Sequence, residues 1–146
     1  MKKILILSLF SLLATAGFSQ ASKASPKLQA SLAGSKGGEI PSSEVKRIID
    51  SGLVVKDEKG VNYPIARFTA GYRFTSTYED EASGEKKMTN DFRSQEYSDE
   101  NKMSDLWRSS VKDNIKSGDE LLLFNIMVRL KNGKKMLVNQ LSFKVK

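Results

Sequence analysis

The sequence predicts a mainly β domain of the α+β class, with an antiparallel sandwich-like sheet, one or two short helices and a C-terminal β-hairpin. Three observations predict this fold. Residues 67–78 alternate between polar and apolar side chains with the period of two that is typical of a strand. Two shorter segments carry apolar residues at the i, i+3, i+4 spacing of an amphipathic helix. Asn132-Gly133, between two apolar runs, is the dipeptide that two-residue hairpin turns prefer.

The N-terminus has the pattern of a secretory signal peptide. The basic pair Lys2 and Lys3 precedes a mostly apolar run over residues 4–14, and small side chains follow it. The run is shorter than the roughly 20 residues that a membrane-spanning helix needs. We therefore expect residues 1–19 to be removed by cleavage before Gln20. The mature chain would then be periplasmic or secreted, with no membrane span after cleavage.

Composition limits what the mature chain can do. The sequence contains no cysteine, which excludes a lipid-anchored lipoprotein, disulfide bonds and thiolate metal sites. About 127 residues remain after cleavage, enough for one domain with an ordinary core. The formal charge is +7, and +5 once Lys2 and Lys3 are removed. This excess indicates either a solvated basic surface or a preference for anionic envelope partners. Nucleic acid is not expected, because no nucleic-acid-binding motif is present.

Residues 20–33 are predicted to be a flexible tether, because they are rich in Ser, Ala and Lys and contain Pro26. The folded domain would occupy residues 34–146. Its first helix is capped by residues 41–43, and Gly52 is predicted to end it in the left-handed conformation. Three apolar residues at helical spacing form its buried side: Val45, Ile48 and Ile49. Leu53, Val54 and Val55 then predict a short strand.

The strongest strand pattern comes next in the chain. One face of it would carry Phe68, Ala70, Tyr72, Phe74, Ser76 and Tyr78. The acidic loop Glu79–Glu85 ends it, and Lys86 to Phe92 is predicted to return as a partner strand. A second helix is expected to begin near Ser98, with Asp99 and Glu100 in its first turn. Its apolar stripe would be Met103, Leu106, Trp107, Ser110 and Val111.

The C-terminal hairpin carries the predicted functional surface. A two-residue type I′ turn at Asn132-Gly133 would pair Leu130 with Lys135 and, further along, Leu122 with Phe143. The face that includes these residues is mostly apolar and is expected to be core. The opposite face is half apolar, which favours cover by a helix or another subunit. Five residues on that face form the candidate interaction surface: Leu123, Met127, Arg129, Met136 and Val138.

A search for reactive groups finds little. Histidine is absent, which removes the commonest general base and metal ligand. Adjacent carboxylates occur at Asp57-Glu58, in the run Glu79-Asp80-Glu81 and at Asp99-Glu100, but these positions lie in predicted loops or at a helix start. The acidic loop does not have the spacing of an EF-hand. We assign no catalytic, cofactor-binding or metal-ligating residue and expect no cofactor and no enzyme activity.

Aromatic side chains leave a second function open. Tyr72, Phe74 and Tyr78 share a strand face, which is either a packed sheet face or the lining of a binding groove. Together with the basic charge, a groove would suit anionic glycans or lipid headgroups. A small carboxylate-dependent hydrolase is a third alternative, and only the loop acids favour it.

Three segments, taken in order, resemble the C-terminal domain of the GldM/PorM family of gliding-motility and type IX secretion proteins of Bacteroidetes. They are Gly34 to Val54, Ile65 to Thr75, and Ser98 to the end of the chain. The last segment includes Ser117-Gly118-Asp119-Glu120 and Asn132-Gly133-Lys134. Together they cover nearly all of residues 31–146, and their order and spacing carry the resemblance.

The resemblance implies a β-rich, sandwich-like domain in a periplasmic and often dimeric protein that contacts envelope partners. In the best-known members this domain helps to transmit energy from an inner-membrane motor. The sequence has no counterpart of their transmembrane helix and helical bundle, so we expect an accessory role. The expectation is a non-catalytic protein-interaction module, accessory to gliding motility or type IX secretion, that binds an envelope protein or itself as a homodimer.

Overall fold

A computed structural model describes residues 25–146 of the chain. The predicted signal peptide, residues 1–19, and the start of the predicted tether lie outside the described residues. The described part is built from these elements: β1 (Gln29–Leu32), β2 (Gly38–Ile40), α1 (Ser42–Ile48), β3 (Leu53–Lys56), β4 (Ile65–Glu79), β5 (Lys86–Ser98), α2 (Asp105–Asn114), β6 (Glu120–Arg129), β7 (Lys135–Val138) and β8 (Leu141–Val145).

The strands form a six-stranded sheet and a separate pair. The large sheet has the order β2-β8-β6-β4-β5, and β7 pairs with β6 on the same side as β8. Every pairing in it is antiparallel except that of β2 with β8. β1 and β3 form an antiparallel two-stranded sheet. The predicted mainly β, α+β class with two short helices and a C-terminal hairpin is confirmed.

One hydrophobic core joins the layers. The face of the large sheet that we call the core face packs against α1, α2 and the β1–β3 pair. Fully buried side chains come from each layer, including Ile48 of α1, Leu53 of β3, Phe68 of β4 and Leu121 of β6. The opposite side of the large sheet carries no described helix or strand, and we call it the open face.

The predicted tether, residues 20–33, wrongly includes a strand. Residues 29–32 form β1 and pair with β3, and the side chains of Ala30 and Leu32 are fully buried. These two residues lie two apart, so a strand directs both of them into the core. The Ser- and Lys-rich composition around them hides this short alternation, which is why the segment was expected to be flexible.

The first helix has its predicted place, but its predicted stop is wrong. α1 spans Ser42–Ile48, and Val45, Ile48 and Ile49 are fully buried. Gly52 is not among the residues with positive φ. A Cβ added there would lie 2.6 Å from the Asn101 side-chain nitrogen. Glycine at position 52 therefore makes room for a neighbouring loop.

The second helix begins later than predicted. β5 continues to Ser98, and α2 begins at Asp105 after the N-cap Ser104, whose hydroxyl accepts a hydrogen bond from the Trp107 amide. Tyr97 explains the longer strand, because its ring stacks on Phe68 with centroids 5.0 Å apart. The stripe is also narrower than predicted, since Leu106 is 83% exposed whereas Val111 is buried.

The hairpin turn has three loop residues instead of two. The Gly133 amide donates to the Leu130 carbonyl at 2.9 Å, and the Leu130 amide donates to the Lys134 carbonyl at 2.8 Å. Gly133 has φ +80°, whereas Asn132 is not among the residues with positive φ. This is a turn followed by a left-handed glycine, the usual three-residue hairpin loop. The extra residue shifts the register by one, so that Arg129 faces Lys135.

Two substitutions distinguish the two turn types. Gly133→Ala is expected to lower the free energy of unfolding by about 1–2 kcal/mol, because an L side chain is strained at positive φ. Asn132→Ala should lower it by less than about 1 kcal/mol, the value of the exposed bond from the Lys134 amide to the Asn132 side chain. Urea unfolding of both variants measures this difference. Equal losses would indicate the type I′ turn, in which both residues need positive φ.

A bulge in β6 changes which side chains face the core. Asn125 has φ +50°, and the pairing of β6 with β4 shifts there. Before the bulge, Leu121 and Leu123 are fully buried on the core face; after it, Ile126 and Val128 are. An extra residue in one strand reverses the alternation, because side chains point to opposite faces with a period of two. No single alternation therefore describes the whole of β6.

Candidate functional site

The predicted interaction surface does not form as one surface. Leu123 is fully buried and Val138 is 5% exposed, so neither can contact a partner. Met136 lies on the core face opposite Val128 and packs against the core. Only Met127 and Arg129 lie on the open face. The bulge accounts for Leu123, and the three-residue turn accounts for Met136 and Val138.

The open face carries a different apolar surface, which we call the open-face patch. It consists of Phe92, Phe124, Met127 and Leu137. Leu137 is 65% exposed and pairs with Met127, while Phe92 is 49% exposed and lies on β5. Register places the two Phe side chains on this face, since Phe92 faces Arg73 and Phe124 faces Thr69. Neighbouring apolar side chains exposed on one face and rimmed by polar residues can mark a protein-binding surface.

Gly71 shapes the centre of the patch. The rings of Phe92 and Phe124 lie over it with their centroids 6.3 Å apart. A Cβ at position 71 would come within 2.7 Å of the Phe92 ring and 3.1 Å of the Phe124 ring. Glycine therefore lets both rings lie down on the sheet. Leu122, on the same face, is only 8% exposed.

Three arginines border the patch, and each has an acidic partner. Arg67 contacts the Met127 sulfur at 3.2 Å and lies 4.0 Å from Glu96. Arg73 lies over the Phe92 ring, 5.9 Å from its centroid, and is paired with Glu120. Arg129 lies 2.6 Å from Asp99. An apolar centre with a polar, charge-balanced border has the composition of a protein-binding surface.

Two of the loop carboxylates that left a hydrolase open, Asp57 and Asp80, are engaged in local structure. The amide of Val61 donates to Asp57 and holds the pKa of that carboxyl below its usual range, and the Tyr63 hydroxyl adds to this. The ammonium of Lys87 lowers the pKa of Asp80 in the same way. A general acid needs a raised pKa instead. Within residues 25–146, no cluster of three acidic side chains is arranged to hold a metal ion.

The aromatic strand face, for which a packed sheet face and a binding groove were both open, is partly each. Tyr72 is 3% exposed and stacks on Phe74, with ring centroids 5.0 Å apart. Its hydroxyl donates to Asp119 at 2.6 Å, so it is committed to the core. Tyr78 is 50% exposed near the end of β4. The phase of the strand was predicted correctly. Tyr72 and Phe74 line one surface pocket with Arg93 and Lys116, but Tyr78 does not line it, so the three aromatics do not share one groove.

No family model matches the chain, and no curated protein matches it either. The resemblance to the GldM/PorM family therefore stays a prediction. Across residues 25–146, neither helix has the length and apolar character needed to cross a bilayer.

Proposed function

We propose that this chain is a non-catalytic periplasmic protein-interaction module, and that the open-face patch contacts its partner. The observation that carries the proposal is the patch itself: four large apolar side chains lie on one sheet face, and Phe92 and Leu137 are 49% and 65% exposed. Their burial in a complex would contribute about 25 cal/mol per Å² of apolar surface removed from water. Aromatic, Met and Arg side chains are the types that such interfaces favour.

The chemistry of the chain supports a binding role over a catalytic one. The sequence has no histidine and no cysteine, which are common catalytic bases and nucleophiles. Asp57 and Asp80, two of the acids considered for hydrolysis, have lowered pKa values and hold their own loops. Both side chains are therefore ionised near neutral pH and poorly suited to donate a proton.

The partner that we propose is another protein of the cell envelope. The predicted signal peptide supports this proposal, because the mature chain would then be exported to that compartment. The resemblance to the GldM/PorM C-terminal domain supports an accessory role in gliding motility or type IX secretion. The charge balance at the border of the patch favours a protein surface with its own polar rim over a uniformly anionic surface.

Two substitutions within the patch test the proposal. Leu137→Asp and Met127→Asp place a charge in the patch and are expected to abolish crosslinking to the envelope partner in living cells. Leu137→Asp should leave the melting temperature nearly unchanged, because its side chain is 65% exposed. The readout is mass spectrometry of proteins crosslinked to the tagged chain in the organism that encodes it.

Leu106→Asp is the matched control. Leu106 is 83% exposed but belongs to α2, on the other side of the sheet. It should leave the captured proteins unchanged. If Leu137→Asp and Met127→Asp capture the same proteins as the wild type, the open-face patch is not the contact surface and the proposal fails.

A further inference from the structure

β5 forms an edge of the large sheet. Among the described strands it pairs with β4 alone, along thirteen consecutive residue pairs without a bulge. The backbone amides and carbonyls on its outer side are therefore open to another strand. Its residues are exposed over most of its length. The strands at the opposite side, β2 and β7, are only three and four residues long.

The middle of β5 lacks three of the usual protections of an edge strand, namely proline, lysine and a bulge, although it carries the charged residues Asp91, Arg93 and Glu96. Natural edges are blunted by proline, by bulges or by charged side chains, especially lysine. Residues 88–96 contain no proline and no lysine, and their pairing with β4 is regular. Lys86 and Lys87 lie at the start of the strand, and Lys87 forms an ion pair with Asp80. A regular edge of this length is suited to the addition of a strand whose charges complement its own.

The sequence of β5 is complementary to itself about Phe92. In an antiparallel pair of β5 strands centred there, Phe92 would face Phe92 of the second copy. Asp91 of each copy would face Arg93 of the other, which makes two ion pairs. Outside them, Asn90 would face Ser94. Facing aromatic pairs and opposite charges each stabilise antiparallel strands.

Neighbouring registers lose this complementarity. Centring on Asp91 sets that carboxylate against its own copy, and centring on Arg93 sets two guanidinium groups together. Centring on Asn90 brings Arg93 opposite Lys87, again with like charge. Centring on Ser94 pairs Arg93 with Gln95 and leaves Phe92 facing Glu96. Like charges directly opposite one another destabilise a strand pair.

We infer that β5 pairs with β5 of a second copy, antiparallel and centred on Phe92, to form a two-fold symmetric dimer. The large sheets of the two copies then become one continuous sheet, and the open-face patches lie on the same side of it. Arg93 lies over the Phe74 ring of its own chain, 5.1 Å from the centroid, and Ser76 donates to Asp91. Both charged groups are thus positioned before pairing. This inference does not depend on what binds the open-face patch.

The absence of cysteine allows a direct test of the register. In the mature chain, Phe92→Cys places one thiol on the two-fold axis. Facing Cα atoms in antiparallel strands are about 4.5–5.5 Å apart, within the span of a disulfide. We expect Phe92→Cys to form a covalent dimer on mild oxidation. Asn90→Cys and Ser94→Cys should form no covalent dimer alone and should form a disulfide-linked dimer when mixed with each other. Monomeric Phe92→Cys under these conditions would overturn the inference.

Charge reversal tests the ion pairs without any covalent bond. In Arg93→Glu, the new carboxylate of each copy would face Asp91 of the other copy, which makes two repulsive pairs. The dissociation constant of the dimer, measured by analytical ultracentrifugation, should rise at least tenfold. The double exchange Asp91→Arg/Arg93→Asp restores opposite charges and should restore the dimer. Lys46→Glu, an exposed change on α1, is the control and should have no effect. An unaltered dissociation constant in Arg93→Glu, or a wild-type chain that is monomeric at every concentration, would contradict the inference.

The same measurements separate this inference from the proposed function. Leu137→Asp should leave the dimer intact, because Leu137 lies on β7 and not on β5. Loss of partner capture in Leu137→Asp with an intact dimer supports the open-face contact alone. A dimer that withstands Arg93→Glu overturns the strand pairing without affecting that contact.

Discussion

Leu123→Ala is expected to lower the free energy of unfolding by about 2–5 kcal/mol, while Leu137→Ala changes it by less than about 0.5 kcal/mol. Leu123 is fully buried between Ala70 of β4 and Leu141 of β8. Removing three carbons there leaves a cavity that the close-packed core can only partly fill. Leu137 is 65% exposed, so its truncation removes little packing.

Urea unfolding of the two variants, followed by the fluorescence of Trp107, measures this contrast. Trp107 is the only tryptophan in the sequence and packs against the core, so its emission reports on the whole domain. The pair of substitutions has the same chemistry at two sites of opposite exposure. Equal and small losses would mean that Leu123 lies at the surface, as the uniform alternation of β6 predicts. The bulge at Asn125 would then be wrong.

The sequence predicts the class of fold well, because the signals for it are local. The period of two in β4 and the helical spacing of Val45 and Ile48 depend on neighbouring residues only. The sequence alone therefore predicts where both elements lie. Two other features depend on residues that are distant in the sequence. The late start of α2 follows from the length of β5, where Tyr97 stacks on Phe68. The strand at residues 29–32 forms because β1 pairs with β3. A single sequence does not reveal those contacts.

The candidate site was predicted less well, because it depends on register. One extra residue in the turn and one in β6 decide which side chains reach the open face. The dipeptide Asn132-Gly133 fits a two-residue turn as well as a three-residue loop that ends in glycine. Asn125 carries a weak signal, since asparagine tolerates positive φ better than most residues. Neither signal alone would have moved Leu123 into the core or placed Phe124 and Leu137 outside it.

Correcting the register changes which residues are worth testing. Met127 and Arg129 stay on the exposed side, and Leu137 replaces Met136 and Val138 as the exposed apolar residue of the return strand. The functional argument then depends on β5 as well, because Phe92 joins the patch from there. The open-face patch and the edge of β5 meet at this residue. A partner that covers the patch would therefore contact a surface contributed by both copies of the proposed dimer.

Tyr72→Phe is expected to lower the free energy of unfolding by about 1.5–3 kcal/mol at neutral pH, the usual contribution of a buried hydrogen bond to a charged group. The Tyr72 hydroxyl donates to Asp119 at 2.6 Å, and Asp119 is only 1% exposed. That carboxylate also accepts a bond from the Lys116 amide at 3.0 Å. In Tyr72→Phe the buried Asp119 carboxylate would accept one hydrogen bond fewer. Tyr63→Phe is the matched control: its hydroxyl donates to Asp57 at 3.0 Å near the surface, and we expect a loss below about 1 kcal/mol.

Alkaline pH should reduce the difference in the free energy of unfolding between the wild type and Tyr72→Phe. Burial, and then the bond to Asp119, raise the pKa of Tyr72 far above its usual range. A raised pKa in the folded state contributes stability that is complete below the unfolded pKa of about 10 and is lost as the pH rises beyond it. Between pH 9 and pH 11 the free energy of unfolding of the wild type should therefore fall by about 1.4 kcal/mol more than that of the variant. Urea unfolding at both pH values measures this. A constant difference would mean that the Tyr72 hydroxyl is not held in its protonated form by the fold.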